Sequence, residues 1–195
     1  MPKVTDEYRD ARRDQILSAA RRCFLRDGFH ATSMQDLFAE AGLSSGAVYR
    51  YFASKDDVII AIAEENMRDV VAMVHDVDSR QPGRAMGAVL ADMITVMRAK
   101  DAEYGLARLA VLAWSESLRN PALASRFAGL LAQIRADLTE IVRNHQRTGS
   151  LTSDVPAEAI AAVFASVVPG SILQLASLGP AALDGMPAAV EALWP

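Results

Sequence analysis

The sequence predicts an all-α fold, an N-terminal three-helix module followed by a larger C-terminal helical bundle. Three observations carry this. Apolar residues recur at helical spacing, as with Ile16, Ala20, Cys23 and Phe24 at i, i+4, i+7 and i+8. Helix-start residues (Ser33, Ser44, Ser54, Asn120) and helix-stop glycines (Gly28, Gly42, Gly149, Gly179) punctuate the chain. No stretch shows a β pattern, and no internal repeat is visible.

The elements follow in order. Residues 9–27 form an amphipathic helix with arginines opposite its apolar stripe, closed by Asp27-Gly28. Ser33 caps a short helix over 34–40, and Gly42 supplies the positive φ that a sharp turn between helices needs. Ser44 caps a third, short helix, and Ser54 caps a fourth that begins at Lys55 and runs to about Val77. The fourth carries an apolar stripe of Ile59, Ile62, Ala63, Met67, Val70, Val74 and Val77, with Asn66 on the same face. Ser79-Arg80-Gln81-Pro82-Gly83 reads as a loop. Helices are expected over 84–99 and 103–118. Asn120-Pro121, an N-cap followed by proline at the first helical position, opens a long helix to about Arg147. Asp154-Val155-Pro156 opens another to about Leu178, which Pro169-Gly170 should kink or break. A last short helix is expected over 187–193.

Between Glu158 and Asp184 no residue is charged. The segment is long enough to cross a membrane. However, Ser166, Pro169, Gly170, Ser171, Gln174 and Ser177 interrupt it, and it lacks a Lys/Arg flank and an aromatic belt. No membrane partner is therefore expected. A helix apolar on nearly every side is better explained by two partners, its own domain and a second subunit.

Residues 42–55 read Gly-Leu-Ser-Ser-Gly-Ala-Val-Tyr-Arg-Tyr-Phe-Ala-Ser-Lys, with two cations and no acid. Ser45, Tyr49, Arg50 and Tyr51 are hydrogen-bond donors on one short helix, while Val48 and Phe52 supply its inward face. Helix, glycine-bearing turn, second helix is the helix-turn-helix layout, and a donor-rich helix without acids suits the major groove of DNA. An apolar centre of Ile16, Phe24, Phe29, Leu37, Val48 and Phe52 would hold this module together.

The run from Asp14 to Ile62 resembles the tetracycline-repressor (TetR) family of bacterial transcription regulators. The resemblance rests on Ile16-Leu17, Ala19-Ala20, Phe24, Gly28-Phe29, Ala41-Gly42-Leu43-Ser44, Gly46, Tyr49, Tyr51-Phe52 and Ser54-Lys55, about a quarter of the chain. It implies a DNA-binding domain over about 10–70, with the fourth helix shared, and an effector-binding and dimerisation domain over 71–195. It also implies a homodimer bound to an operator, with helices of 121–147 and 156–178 forming a four-helix interface. Gln35 and Ser45 match family positions that reach base edges, and Gln suits adenine. Lys55 matches a phosphate-binding lysine, and Tyr49 reads as a phosphate contact. Arg50 reads either guanine or a phosphate. Ser33, Ser44, Gly46, Ala47 and Tyr51 complete the footprint. One position departs: where the family usually has alanine, four residues before the turn glycine, this chain has Phe38. Either the helices cross more widely there or the ring turns into the core.

Charge gives the DNA reading less support. Residues 1–60 hold nine basic and nine acidic residues, and the rest holds eleven against fifteen, for a net charge of −4. A basic domain would be the usual footprint. Helix N-termini and hydroxyls can hold phosphates without formal charge, so moderate affinity with steep salt dependence is expected.

An effector pocket, as the resemblance implies, is expected between the fourth helix and those near 84–118. Met93 or Met97, Trp114 and Phe127 would line it, with Asn66 or Gln174 as polar anchors, for a small hydrophobic ligand. Residue by residue, ordinary core packing is the commoner fate of such side chains. Asn66 and Gln174 are equally well read as exposed edge positions. A solid C-terminal core would instead point to a DNA-binding regulator or architectural protein without an effector.

Other classes find little here. There is no Gly-x-Ser-x-Gly and no phosphate loop, so no enzyme and no cofactor are expected. His30, His75 and His145 are too scattered for a metal site, and the last two read as helix-surface residues. Cys23, the only cysteine, reads as a small buried hydrophobe suited to a reducing interior. The N-terminus has no apolar signal-peptide core, so a cytoplasmic location is expected.

Overall fold

The structure, a computed structural model, describes residues 6–80 and 84–194, with the side chains of 67 and 69–80 outside the description. The described residues form helices α1 (Asp6–Asp27), α2 (Met34–Ala41), α3 (Ser45–Tyr49), α4 (Lys55–Arg80), α5 (Met86–Tyr104), α6 (Leu106–Ser117), α7 (Pro121–Thr148), α8 (Ala157–Leu178) and α9 (Met186–Leu193). A 3-10 turn, Pro180–Leu183, joins α8 to α9, and no strand occurs among the described residues. The chain divides into two compact units, Met1–Glu65 and Asn66–Pro195.

In the first unit, local capping chemistry sets each helix end. Ser33 Oγ accepts the Asp36 N–H while the Asp36 carboxylate accepts the Ser33 N–H at 2.8 Å, a reciprocal capping box. At the other end of α2, Gly42 has φ 64°, and the Gly42 and Leu43 N–H groups donate to the Ala39 and Phe38 carbonyls. That geometry turns the chain sharply into α3, where Ser44 Oγ accepts the Ala47 N–H. Ser54 Oγ does the same for Asp57 at the start of α4. Ile16, Phe24, Phe29, Leu37, Val48 and Phe52 are all buried, joined by Leu17, Ile59 and Ile62. Cys23 is fully buried as well. Glu65 of α4 is held between Arg13 and Arg21 of α1, at 2.5 Å from the latter, which ties these helices together.

Ile59, Ile62, Ala63 and Asn66 of the α4 stripe are buried. Met67, Val70, Val74, His75 and Val77 lie outside the described side chains, as do Gln81-Pro82-Gly83 of the expected loop.

The second unit packs α5 to α9 around Met86, Leu90, Ile94, Leu109, Leu123 and Phe164, each almost fully buried. Helix α5 extends past the expected end, to Tyr104, because Gly105 takes φ 72° and the Asp101 carboxylate accepts the Ala107 N–H at 2.8 Å, capping α6 from the helix before it. Asn120 caps α7 through the Ala122 and Leu123 N–H groups. Contrary to the surface position expected from sequence, His145 is buried. The Ser150 and Leu151 N–H groups donate to its carbonyl, folding the next turn back over the helix end. Pro169 lies inside α8 without ending it. By length and a mean hydropathy of 1.9, α8 could cross a membrane. Its Phe164, Val168, Ile172 and Leu175 are instead buried in the core. On its other side Val163, Ser166, Gly170, Leu173, Gln174 and Ser177 are exposed.

Candidate nucleic-acid interface and ligand cavity

Helices α2 and α3 bring the sequence-predicted contact residues together. Ser33 and Gln35 at the start of α2, and Ser44, Ser45, Gly46, Tyr49 and Arg50 along α3, are exposed, while Ala47 and Tyr51 are half-buried. The reason is the four-residue spacing of the apolar side. Val48 and Phe52 are anchored inside, so Tyr49, one position on, must point away and is 51% exposed. Arg50 is exposed and makes no ion pair among the described residues, so its charge is available to a ligand.

The acids of this module are already engaged. Glu40 at the end of α2 is paired with Arg22 at 2.7 Å and Arg26 at 3.1 Å, and these hydrogen bonds hold its carboxyl below the usual range. The Asp36 carboxyl is lowered by its bonds to Ser33. Both stay ionised, with the Glu40 charge matched locally by two arginines and the Asp36 charge held in the helix cap, so the formal neutrality of the unit is unchanged.

Phe38 does not turn into the core. Its half-buried ring meets the Tyr49 ring edge-on, with centroids 5.3 Å apart and planes at 69°. Such a contact restricts the tyrosine's rotamers, so the bulky residue on α2 orients the phenol on α3.

Lys55 is placed differently from expectation. Its Nζ donates to the Phe29 carbonyl at 2.6 Å, the Thr32 carbonyl at 2.8 Å and the His30 carbonyl at 3.4 Å, and it lies 4.5 Å from the Phe29 ring centroid. A cation at a helix start opposes the helix dipole, and here the loop carbonyls offset that cost. The lysine therefore clamps the 28–33 loop that delivers Ser33 and Gln35. Lys55→Ala should lower unfolding stability by about 1–2 kcal/mol, since hydrogen bonds from a charged group are lost. It should leave the salt dependence of DNA binding unchanged. A salt slope smaller by about one would instead mark Lys55 as a direct phosphate ligand.

The second unit contains a cavity of about 580 Å³, within the range of small-molecule sites. Leu90 and Met93 of α5, Val111, Trp114 and two serines of α6, Phe127, Leu131, Ile134 and Leu138 of α7, and Phe164, Ala165, Val168, Pro169 and Ile172 of α8 line it, with Leu118 at the rim. Met93, Trp114 and Phe127 are thus brought together. Met97 is buried one turn further along α5, Asn66 is buried without reaching the lining, and Gln174 is exposed. Among the described residues the walls come from α5 to α8, while the α4 side chains of residues 67 and 69–80 lie outside the description. From α8 the sequence reasoning offered only Gln174, and it missed Phe164, Ala165, Val168, Pro169 and Ile172. No metal-binding cluster occurs among the described residues.

Residues 16–62 match the model of the tetR family of bacterial regulatory proteins, and residues 84–193 match that of the C-terminal part of BetI-type transcriptional repressors. An HTH-type transcriptional repressor of Mycobacterium tuberculosis is 32% identical over 178 residues, covering 91% of this chain and 89% of that protein. Salmonella enterica GusR has the same fold with a TM-score of 0.76 at 26% identity, covering 98% of both chains. The Bacillus subtilis transcriptional regulator FadR, solved in complex with stearoyl-CoA, has it with a TM-score of 0.70 at 18% identity, covering 92% of this chain and 96% of that one.

Proposed function

Since the chain belongs to the TetR family of bacterial transcription regulators, we propose that it is a homodimeric repressor released from a palindromic operator by a small hydrophobic effector. The observation that carries the DNA part is the α2–α3 face, where Gln35, Ser45, Tyr49 and Arg50 are all exposed beside a rigid, doubly capped turn. Gln35 and Ser45 would read base edges, Tyr49 and the serines would hold phosphates, and Arg50 would take either a guanine or a phosphate.

The exposed, uncharged stripe of α8 supports the dimer, and two copies would present two α3 helices to successive major grooves. The half-site centres should then lie about one helical turn, or a multiple, apart. Such a regulator acts in the cytoplasm.

The cavity in the second unit favours an effector over a regulator without one, which would be packed solid there. Among the described residues its lining is free of charge, which suits a neutral apolar molecule. Binding would favour the conformation in which the two recognition helices cannot span the operator, with α4, whose residues fall in both units, as the route. By linkage, the effector binds the DNA-free form more tightly by the same factor that it weakens operator binding.

The test is footprinting upstream of the gene and its neighbours, followed by binding titrations across salt. Gln35→Ala should cost about 1–3 kcal/mol at a single base pair of each half-site while leaving random-sequence DNA unaffected. Equal affinity of the unaltered protein for operator and random DNA at every salt concentration would reject the reading.

A further inference from the structure

Pro169 sits inside α8, and a proline has no N–H to give. The carbonyl four residues earlier, on Ala165, therefore loses its helical partner. A helical carbonyl points along the axis toward residue i+4, so this oxygen lies on the strip of α8 between Ala165 and Pro169. Both residues line the cavity. The proline ring also crowds that carbonyl away from its ideal position.

Neighbouring hydroxyls do not repair the gap. Ser166 Oγ donates to the Ala162 carbonyl and Ser171 Oγ to the Val167 carbonyl, each at 2.8 Å. Of the two serines on the lining, Ser117 donates to the Trp114 carbonyl at 2.7 Å, and Ser115 is exposed. Among the described residues, the apolar wall thus contains a helical acceptor whose helix partner is missing and whose neighbouring hydroxyls are engaged elsewhere, and the described lining holds no charged side chain.

We propose that this carbonyl selects the ligand: the cavity takes a neutral, largely apolar molecule bearing a hydroxyl, which donates to the Ala165 oxygen. The proposal rests on the reading of the cavity as the effector site. An ether or ketone of the same shape has no proton to give. A carboxylate would set its own acceptors against the carbonyl, with no cation among the described lining residues to offset its desolvation.

The test uses the full-length protein and three probes of equal chain length: decanol, its methyl ether and decanoate. Binding is followed by tryptophan fluorescence and calorimetry. Decanol should bind about three- to tenfold more tightly than the ether, as expected for one neutral hydrogen bond, and decanoate more weakly than both. Pro169→Ala restores the N–H and pairs the carbonyl within the helix, so the alcohol-to-ether ratio should fall to about one with the ether's own affinity retained. Alanine favours a helix interior, and an undiminished thermal midpoint would confirm that the variant is folded. Equal binding of alcohol and ether in the unaltered protein, or a preference that survives Pro169→Ala, would overturn the proposal. Alcohol binding that leaves operator affinity unchanged would overturn the effector reading while leaving the ligand chemistry standing. Binding of none of the probes would sink both.

Discussion

Gly87→Ala should destabilise the C-terminal unit by about 1–3 kcal/mol, the usual cost of overfilling a packed contact. A Cβ at this position of α5 would lie 2.4 Å from the Val190 carbonyl oxygen, 2.6 Å from that of Trp194 and 2.7 Å from the Glu191 Cα. All three are backbone atoms, so no side chain can swing aside, and α9 would have to move as a body. The Gly87 N–H also donates to the Trp194 carbonyl at 2.9 Å, and that bond would stretch with the same movement. The intrinsic preference of helices for alanine offsets part of the loss, but only near the helix start. The damage reaches the cavity, because the Trp194 ring packs edge-on against Phe164 at 5.1 Å and Phe164 lines the wall. Urea unfolding should show a lower midpoint with an unchanged slope, and hydrophobic probes should bind more weakly. An unchanged midpoint would mean that α9 is not held against α5 as described.

The features legible in the sequence were those decided within a few residues. Ser33, Ser44, Ser54 and Asn120 announced helix starts because a cap is an i to i+2 or i+3 bond. The inward Val48 and outward Tyr49 of α3 followed from helical spacing alone. What stayed hidden depends on residues far apart in the chain. Lys55 looked like a phosphate ligand, and only the fold brings the carbonyls of Phe29 and Thr32 to its ammonium, 26 and 23 residues away. For Phe38 the sequence left open a wider helix crossing or a ring turned into the core, and the ring rests half-buried against Tyr49 instead of in the core. Met93 and Met97 share the apolar side of α5, so periodicity could not tell which one faces empty space. The residues of α8 that line the cavity, as opposed to Gln174, were missed for a similar reason. A missing N–H matters only once a void is known to lie beside it.

Leu173→Glu should convert the protein to a monomer at micromolar concentration and abolish tight operator binding. Among the described residues, the outward stripe of α8 is made of Val163, Ser166, Gly170, Leu173 and Ser177 at three- and four-residue spacing, and none is charged. Val163 is 55% and Leu173 53% exposed, an unusual placement for two large apolar side chains on the most hydrophobic helix of the chain. A second copy of the same stripe would cover them, and small Ser166 and Gly170 would let the backbones approach. The position of the charge decides the experiment. Ser171 is fully buried within its own unit and Ala165 lines the cavity, so a charge at either would damage the monomer. Leu173 faces outward, where a glutamate is harmless to a lone subunit but would be buried unpaired across a two-fold interface, at a cost of several kcal/mol for each copy. A dimer dissociation constant raised at least a hundredfold is therefore expected, read by sedimentation. Ala102→Glu, an exposed position on α5, should change nothing. Operator affinity should fall in step with dimer loss, since a monomer engages one half-site only. A Leu173→Glu protein that stays dimeric and binds the operator normally would place the interface elsewhere.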